Sequence, residues 1–500
     1  MKKILAVVLL SLPFAKSFAN VKPNSLFSDN MVLQRGVAVP IWGTANDDEK
    51  VAVEFNGQKV STVAKNGKWM LKLNPLKAGG PYKMTITGEN TITIQNILVG
   101  EVWVCSGQSN MEMLLSSAWP KPITNWKEEA AAANYPEIRQ YYVAKKASDT
   151  MVWDANTKWT VCDTASVKNF SAVGYFFARD LYNHLKVPIG LLFSSYGGTP
   201  AEKWTTRAAL EANPELKVLA EEYDKAKLNY TTAVANYNNN LPALMTKWAA
   251  DTLAASIAHK KIPAKPAPPR NPAGGAGGLY NAMINPLIPY AIKGVIWYQG
   301  ESNSGRGKQY QTLFPTMITD WRKNWNEGDF PFLFVQIAPY NGADPKIREA
   351  QFLTLSKIPA VAMAVTTDCG DSVAIHPPFK QPVGNRLYLA ARALAYKEKI
   401  EYSGPLYKSF EVKGSTIEVS FDHIGKRLVA KDGDLVGFTI AGEDKKFVQA
   451  TATIKGNKVI VSSADIAKPV AVRFGFNPIA KGNLFNSEDL PASPFRTDVE

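Results

Sequence analysis

Residues 97–113 read ILVGEVWVCSGQSNMEM. A nearly continuous apolar run, Ile97–Cys105, stops on a small polar turn, Ser106–Asn110. A run of this kind, bounded by turn residues, marks a strand buried on both faces. The pattern recurs downstream in IRQYYVA, IGLLFSS, KGVIWYQ, FPFLFVQIA and AVAMAVTT. Between these runs lie helical stretches. In one of them Tyr310, Phe314, Met317, Trp321 and Trp325 share a helical face, and Gly328 marks the stop. Apolar strands joined through helices predict an α/β domain over residues 97–401, its parallel sheet covered by helices on both faces. Ligands bind such sheets at the carboxyl ends of the strands. Ser109, Gly197, Gly198, Glu301 and His376 all follow predicted strands.

Upstream, residues 20–96 are all-β in texture. AVPIWGTA, KVAVEFNG, KWMLKL, YKMTITG and TITIQN are short, partly alternating runs punctuated by Gly, Asn and Asp. They predict a small β-sandwich, and a second is expected over residues 402–500. Inside the α/β block, an Ala-, Lys- and Asn-rich stretch followed by IPAKPAPPRNPAGGAGG predicts an insertion at about 208–278. It reads as a helical hairpin and then a loop without regular structure.

The first nineteen residues carry Lys2 and Lys3, an apolar core from Ile4 to Phe14, and small residues at Ser17 and Ala19. They predict a secretory signal and an exported protein, periplasmic or extracellular. No Cys follows the cleavage site, so a lipoprotein anchor is not indicated. No later run of about 18 or more apolar residues predicts a membrane span. The formal charge of +13 falls to +10 without the signal, which holds three lysines and no acid. The lysines are dispersed, with no basic stripe to suggest nucleic-acid binding. Cys105, Cys162 and Cys369 have no metal-ligand spacing and read as buried small hydrophobes.

Four histidines are present, and His376 stands out. It follows a strand, on the loop DCGDSVAIHPP, before a helix starting near Pro382. A positioned imidazole there suits a general base. Ser109 lies on the turn GQSN, which lacks the second Gly of G-x-S-x-G and so is not an α/β-hydrolase elbow. SSYGGTPAEKW places Gly197 and Gly198 at a strand end, and WYQGESN adds the amides of Gln299 and Asn303. A Ser, a Gly N–H, an amide donor and a His at successive strand ends form an acyl-transfer constellation. No metal or cofactor motif is visible: there is no HExxH, CxxC, P-loop or dinucleotide fingerprint.

With these motifs the chain resembles the SGNH hydrolases and, within them, the sialate O-acetylesterase family of carbohydrate esterases. LFSDNMVLQR, GEVWVCSGQSNMEM, SYGGTPAEKW, LYNAMINPLIPYAIKGVIWYQGESN, IHPPFKQPVGNRL and LPASPFRTD carry the resemblance over nearly the whole mature chain. It implies Ser109 as nucleophile and His376 as base. It implies an oxyanion hole from the Ser109 N–H, a Gly at 197–198, and Asn303 or Gln299. The family's acid is missing: Ala374 and Val373 hold the positions where DIHP and related motifs place Asp. Asp371 and Asp368, offset on the same loop, are the candidates to orient the ring, with a backbone carbonyl as the third choice. Gln108, Asn110 and Glu112 flank the serine and either touch substrate or brace the turn. Glu301 is a substrate contact or a buried anchor, and Trp204 and Tyr298 are candidates to stack on a sugar or, at strand and helix ends, to pack in the core. The implied activity is removal of O-acetyl groups from sialic acids. Acetylated xylan or pectin suits the same catalytic set. A non-catalytic glycan-binding protein is the alternative of another class.

Overall fold

The computed structural model describes residues 20–269, 272 and 274–498. The expected secretory signal lies outside the described residues, as do Arg270, Asn271 and Ala273 of the Pro/Gly loop.

The stretch quoted above belongs to one strand of 17 residues, Thr91–Gly107. Its carboxyl half pairs in parallel with Ile189–Ser195 on one side and Gly294–Tyr298 on the other. Across the sheet the order is Trp159–Cys162, Tyr135–Tyr142, Ile189–Ser195, Thr91–Gly107, Gly294–Tyr298, Phe332–Val335 and Val361–Ala364. The first pair is antiparallel and the rest are parallel. Successive side chains of the central strand point to opposite faces. Trp103 and Cys105 join a core with residues of the helices Ala172–Leu185 and Gln381–Leu394. Val102 and Val104 join another with the helix Gly307–Trp325. That helix stops on Asn326 in the left-handed region, two residues before the expected Gly328.

The expected border between residues 96 and 97 falls inside the central strand. Residues 91–99 pair antiparallel with Gly79–Thr87, and residues 98–100 pair in parallel with Val32–Gln34. The chain therefore passes from the amino-terminal β region into the α/β sheet without a linker. Asn96 has φ 53° at a register shift, so it sits at a β-bulge in a continuous strand. Turn residues at a bulge and at a domain border look alike in sequence.

The remaining amino-terminal strands form two layers, with Val51, Val53 and Phe55 of one and Trp69, Leu71 and Leu73 of the other buried in a common core. After residue 402, two four-stranded sheets and a two-stranded one share a separate apolar core. The insertion differs from expectation. After the short helix Arg207–Ala212, its described residues run into a single long helix, Lys217–Ile257, instead of a hairpin of two comparable helices. The returning Pro-rich segment lies along it, with the Trp248 indole donating to the Pro263 carbonyl at 3.0 Å. Proline lacks the N–H a second helix needs, so the return is irregular. All three cysteines are buried and free.

Candidate active site

The central strand ends at Gly107 (φ +137°), where a Cβ would stand 2.2 Å from the Tyr298 carbonyl oxygen. Only glycine lets the backbone turn this close to its neighbour. The Gln108 N–H donates to the same carbonyl at 2.9 Å, and Ser109 opens the short helix Ser109–Glu112. As a first helical residue, Ser109 has no carbonyl one turn back for its N–H. Ser171, the N-cap of Ala172–Leu185, donates through Oγ to the Met111 carbonyl at 2.7 Å and fixes the turn from below.

His376 reaches this turn from the loop after Val361–Ala364, and its Nε2 lies 2.8 Å from Ser109 Oγ. Burial, and then the Lys380 charge, push the His376 pKa down, while Glu112 pulls it up. The neutral ring that can accept a hydroxyl proton is thereby favoured. Nδ1 has no hydrogen-bond partner among the described residues.

Neither expected acid orients the ring. Asp371 is ion-paired with Lys121 and accepts the N–H groups of Val373 at 2.9 Å and Ala374 at 3.2 Å. It caps its own turn, a common role for Asp two residues before a bend. These bonds, Lys121 first, hold its pKa down. Asp368 bonds through both oxygens to Arg386, each at 2.6 Å, and anchors the helix Gln381–Leu394.

The expected oxyanion donors divide. Gly197 lies against the serine: a Cβ there would be 3.2 Å from Ser109 Cβ. Its N–H donates to Glu112 Oε2 at 2.5 Å, and Glu112 Oε1 accepts from Lys145 at 2.6 Å. Gly198 is exposed, with φ +69°. The two amides face inward. Gln299 donates to Asn303 Oδ1 at 2.7 Å and the Thr199 carbonyl at 3.3 Å; Asn303 donates to Glu202 at 3.0 Å. They bind the loops after Ile189–Ser195 and Gly294–Tyr298 to one another and do not line the cleft.

The five expected substrate contacts are all buried. Trp204 packs edge-on against Trp297 in the core. Tyr298 completes its strand beneath Lys380, whose Nζ is 5.4 Å from the ring centroid. Gln108 accepts from the Ser302 N–H at 3.2 Å and braces the turn. Asn110 donates to Glu301 Oε1 at 2.6 Å and to the Ile375 carbonyl at 3.0 Å, and it accepts from Lys380 at 2.6 Å. Glu301 is the anchor of this cluster. Burial raises its pKa, and burial pushes that of Lys380 down to about 7.

The open cleft over Ser109 has a volume of about 330 Å³, and Trp119, Lys145 and Tyr196 help to form its walls. Trp119 is 71% exposed, with its ring centroid 5.1 Å from that of His376. A larger groove of about 600 Å³ lies between the helices Arg207–Ala212 and Gly307–Trp325, away from Ser109 and His376. The sequence reasoning missed Trp119, Lys145 and Lys380. One signal was present: Trp119 stands in SSAWPKP, a stretch without periodicity, where a large aromatic has no core to enter.

Residues 271–391 match the family model described as carbohydrate esterase, sialic acid-specific acetylesterase. The sialate O-acetylesterase of Mus musculus is 33% identical over 448 residues, 78% of this chain and 76% of that protein. The sialate O-acetylesterase of Homo sapiens is 31% identical over 433 residues, 78% of this chain and 74% of that protein. A solved structure of a carbohydrate acetylesterase from Xanthomonas citri matches with a TM-score of 0.80 and 35% identity, covering 96% of this chain and 100% of that one.

Proposed function

The chain belongs to the sialate O-acetylesterase family of carbohydrate esterases, and on that premise we propose that Ser109 and His376 remove O-acetyl groups from sialic acids through an acetyl-enzyme. The carboxylic ester hydrolase class and the acetylated carbohydrate substrate follow from family membership. The observation that carries the mechanism is the 2.8 Å contact between His376 Nε2 and Ser109 Oγ at the floor of an open cleft.

In the first half-reaction, Ser109 Oγ attacks the acetyl carbonyl carbon as Nε2 takes the hydroxyl proton. The carbonyl oxygen becomes an oxyanion against the Ser109 N–H and the Gly197 N–H, which gives up Glu112 to receive it. The tetrahedral carbon collapses, the sugar oxygen leaves, and His376 returns the proton to it. Water then attacks the acetyl-serine with His376 as base, and acetate leaves as Ser109 is regenerated. Trp119 offers an exposed ring face beside the base, suited to the apolar side of a sugar.

A second substrate reading, another acetylated glycan such as xylan or pectin, is favoured by the close match to the Xanthomonas citri enzyme, described as a carbohydrate acetylesterase. Acetate release from 9-O-acetylated sialic acid and from acetylated xylan separates the two. The sialate reading expects the first to be faster, and a strong preference for xylan would replace it. In either case Ser109→Ala is expected to lose at least about 1,000-fold in kcat while keeping its melting temperature. Retained turnover in that variant would remove Ser109 from the mechanism.

A further inference from the structure

We propose that Asn110 is a positioning residue that does through the backbone what the acid of a Ser–His–Asp triad does through the ring: its amide ties the residue after the nucleophile to the residue before the base. The proposal rests on Ser109 and His376 being the reacting pair.

The need is visible at His376. Its Nδ1 has no partner among the described residues, and the two nearby aspartates are engaged with Lys121 and Arg386. Trp119 lies beside the ring but is mostly exposed. The long loop carrying His376 is therefore held to the serine turn by other means. Asn110 Nδ2 donates to the carbonyl of Ile375, a bond across 265 positions of sequence. Ser109 precedes Asn110 and His376 follows Ile375, so this bond fixes the spacing of nucleophile and base one peptide away from each.

The amide has a single allowed orientation. Its oxygen faces the Lys380 ammonium, and its nitrogen faces the Glu301 carboxylate and the Ile375 carbonyl. Turning it over would set NH₂ against the ammonium and oxygen against two acceptors. Both donors are used, and the side chain is fully buried. Lys380 and Glu301 thus form a clamp with the amide between them. They stand at the start of the helix Gln381–Leu394 and at the turn after Gly294–Tyr298. Burying two ionisable groups is costly unless each finds partners, and here each shares Asn110.

The clamp also leaves an electrostatic mark on the base. The charged groups acting on His376 are Lys380 from the helix start and Glu112 from the serine helix, the latter paired with Lys145. On its own loop, Asp371 is paired with Lys121. Lys380 opposes the imidazolium, so its removal favours protonation.

Two variants test the proposal by steady-state kinetics over a pH series. Asn110→Asp retains an acceptor for Lys380 but, when ionised, cannot donate to Ile375. It is expected to lose about 100-fold in kcat with KM nearly unchanged, the effect of misplacing a reacting group by roughly 1 Å. Lys380→Met is expected to move the acid limb of kcat/KM to higher pH, which a merely structural lysine would not do. A folded Asn110→Asp enzyme with kcat within about threefold of the parent overturns the proposal. If that variant does not fold, the acid limb of Lys380→Met decides, and an unmoved limb is the contrary result. Failure of both to fold would assign the trio to stability and overturn the positioning role. Ser109→Ala keeps the two readings apart: activity there defeats the reaction scheme, whereas a dispensable Asn110 beside an essential Ser109 defeats only this inference.

Discussion

Asp371 has the right chemistry and the right loop to complete a triad, yet its oxygens serve Lys121 and its own turn. Asp371→Asn keeps one acceptor for the Val373 and Ala374 N–H groups and gives up only an exposed ion pair, a small loss. Its kcat is expected to stay within about threefold of the parent, against the roughly 10⁴ that follows spoiling an orienting acid. A loss near the larger figure, measured with an acetylated sugar, would restore Asp371 to the machinery. Ser109 and His376 were legible because each follows a strand in a loop of unusual composition. The partners around them were not. Asn110 and Gln108 read as substrate contacts or as braces, and burial, decided by distant segments, makes them braces, as it makes Glu301 the buried anchor that it also read as. Lys380 was hidden for the opposite reason: a lysine before a helix is ordinarily solvated, and this one lies under the serine turn.

Among elements, the helix Lys217–Ile257 is anchored at its base, where Arg207 pairs with Asp224 and Tyr223 donates to Asp149 at 2.6 Å. Beyond Ala220, none of the described residues as far as Pro269 is fully buried. Tyr237 Oη donates to the Pro266 carbonyl at 3.3 Å, so the outgoing and returning chains are neighbours there. Replacing residues 238–265 by a short Gly-rich linker is expected to shift the melting temperature by less than about 3 °C, because little apolar area is lost. A larger fall would show that the outer helix supports the body of the protein. The core strands were easier to read than this insertion. Their apolar runs are dictated by burial on two faces, whereas composition alone cannot separate one long helix from two short ones. The edge strand Trp159–Cys162 was missed because WTVC is too short to show a period.

At the scale of the whole molecule, Arg348 joins the α/β body to the carboxyl-terminal β region. It is fully buried on the helix Pro345–Lys357. It donates to the carbonyls of Ile337 at 3.0 Å and Ala338 at 3.3 Å, and across the boundary to Asn477 at 2.9 Å and Pro478 at 2.7 Å. Burial pushes its pKa down to about 10, so it stays cationic at neutral pH. Arg348→Leu strands these carbonyls and is expected to cost about 3 kcal/mol, read as a lower urea midpoint. An unchanged midpoint would show that the boundary is held elsewhere. The central strand sets a different demand, one of timing. Its partners at Val32–Gln34 and Gly79–Thr87 leave the ribosome before it does, but Glu101 must wait for Ile189, and Trp103 for Gly294. At roughly 5–20 residues per second the second wait is on the order of 10 s or longer. Throughout it, the nascent chain carries half a sheet with an open, sticky edge, and the bed on which the serine will later rest is, until Gly294 is made, the surface most in need of a guardian.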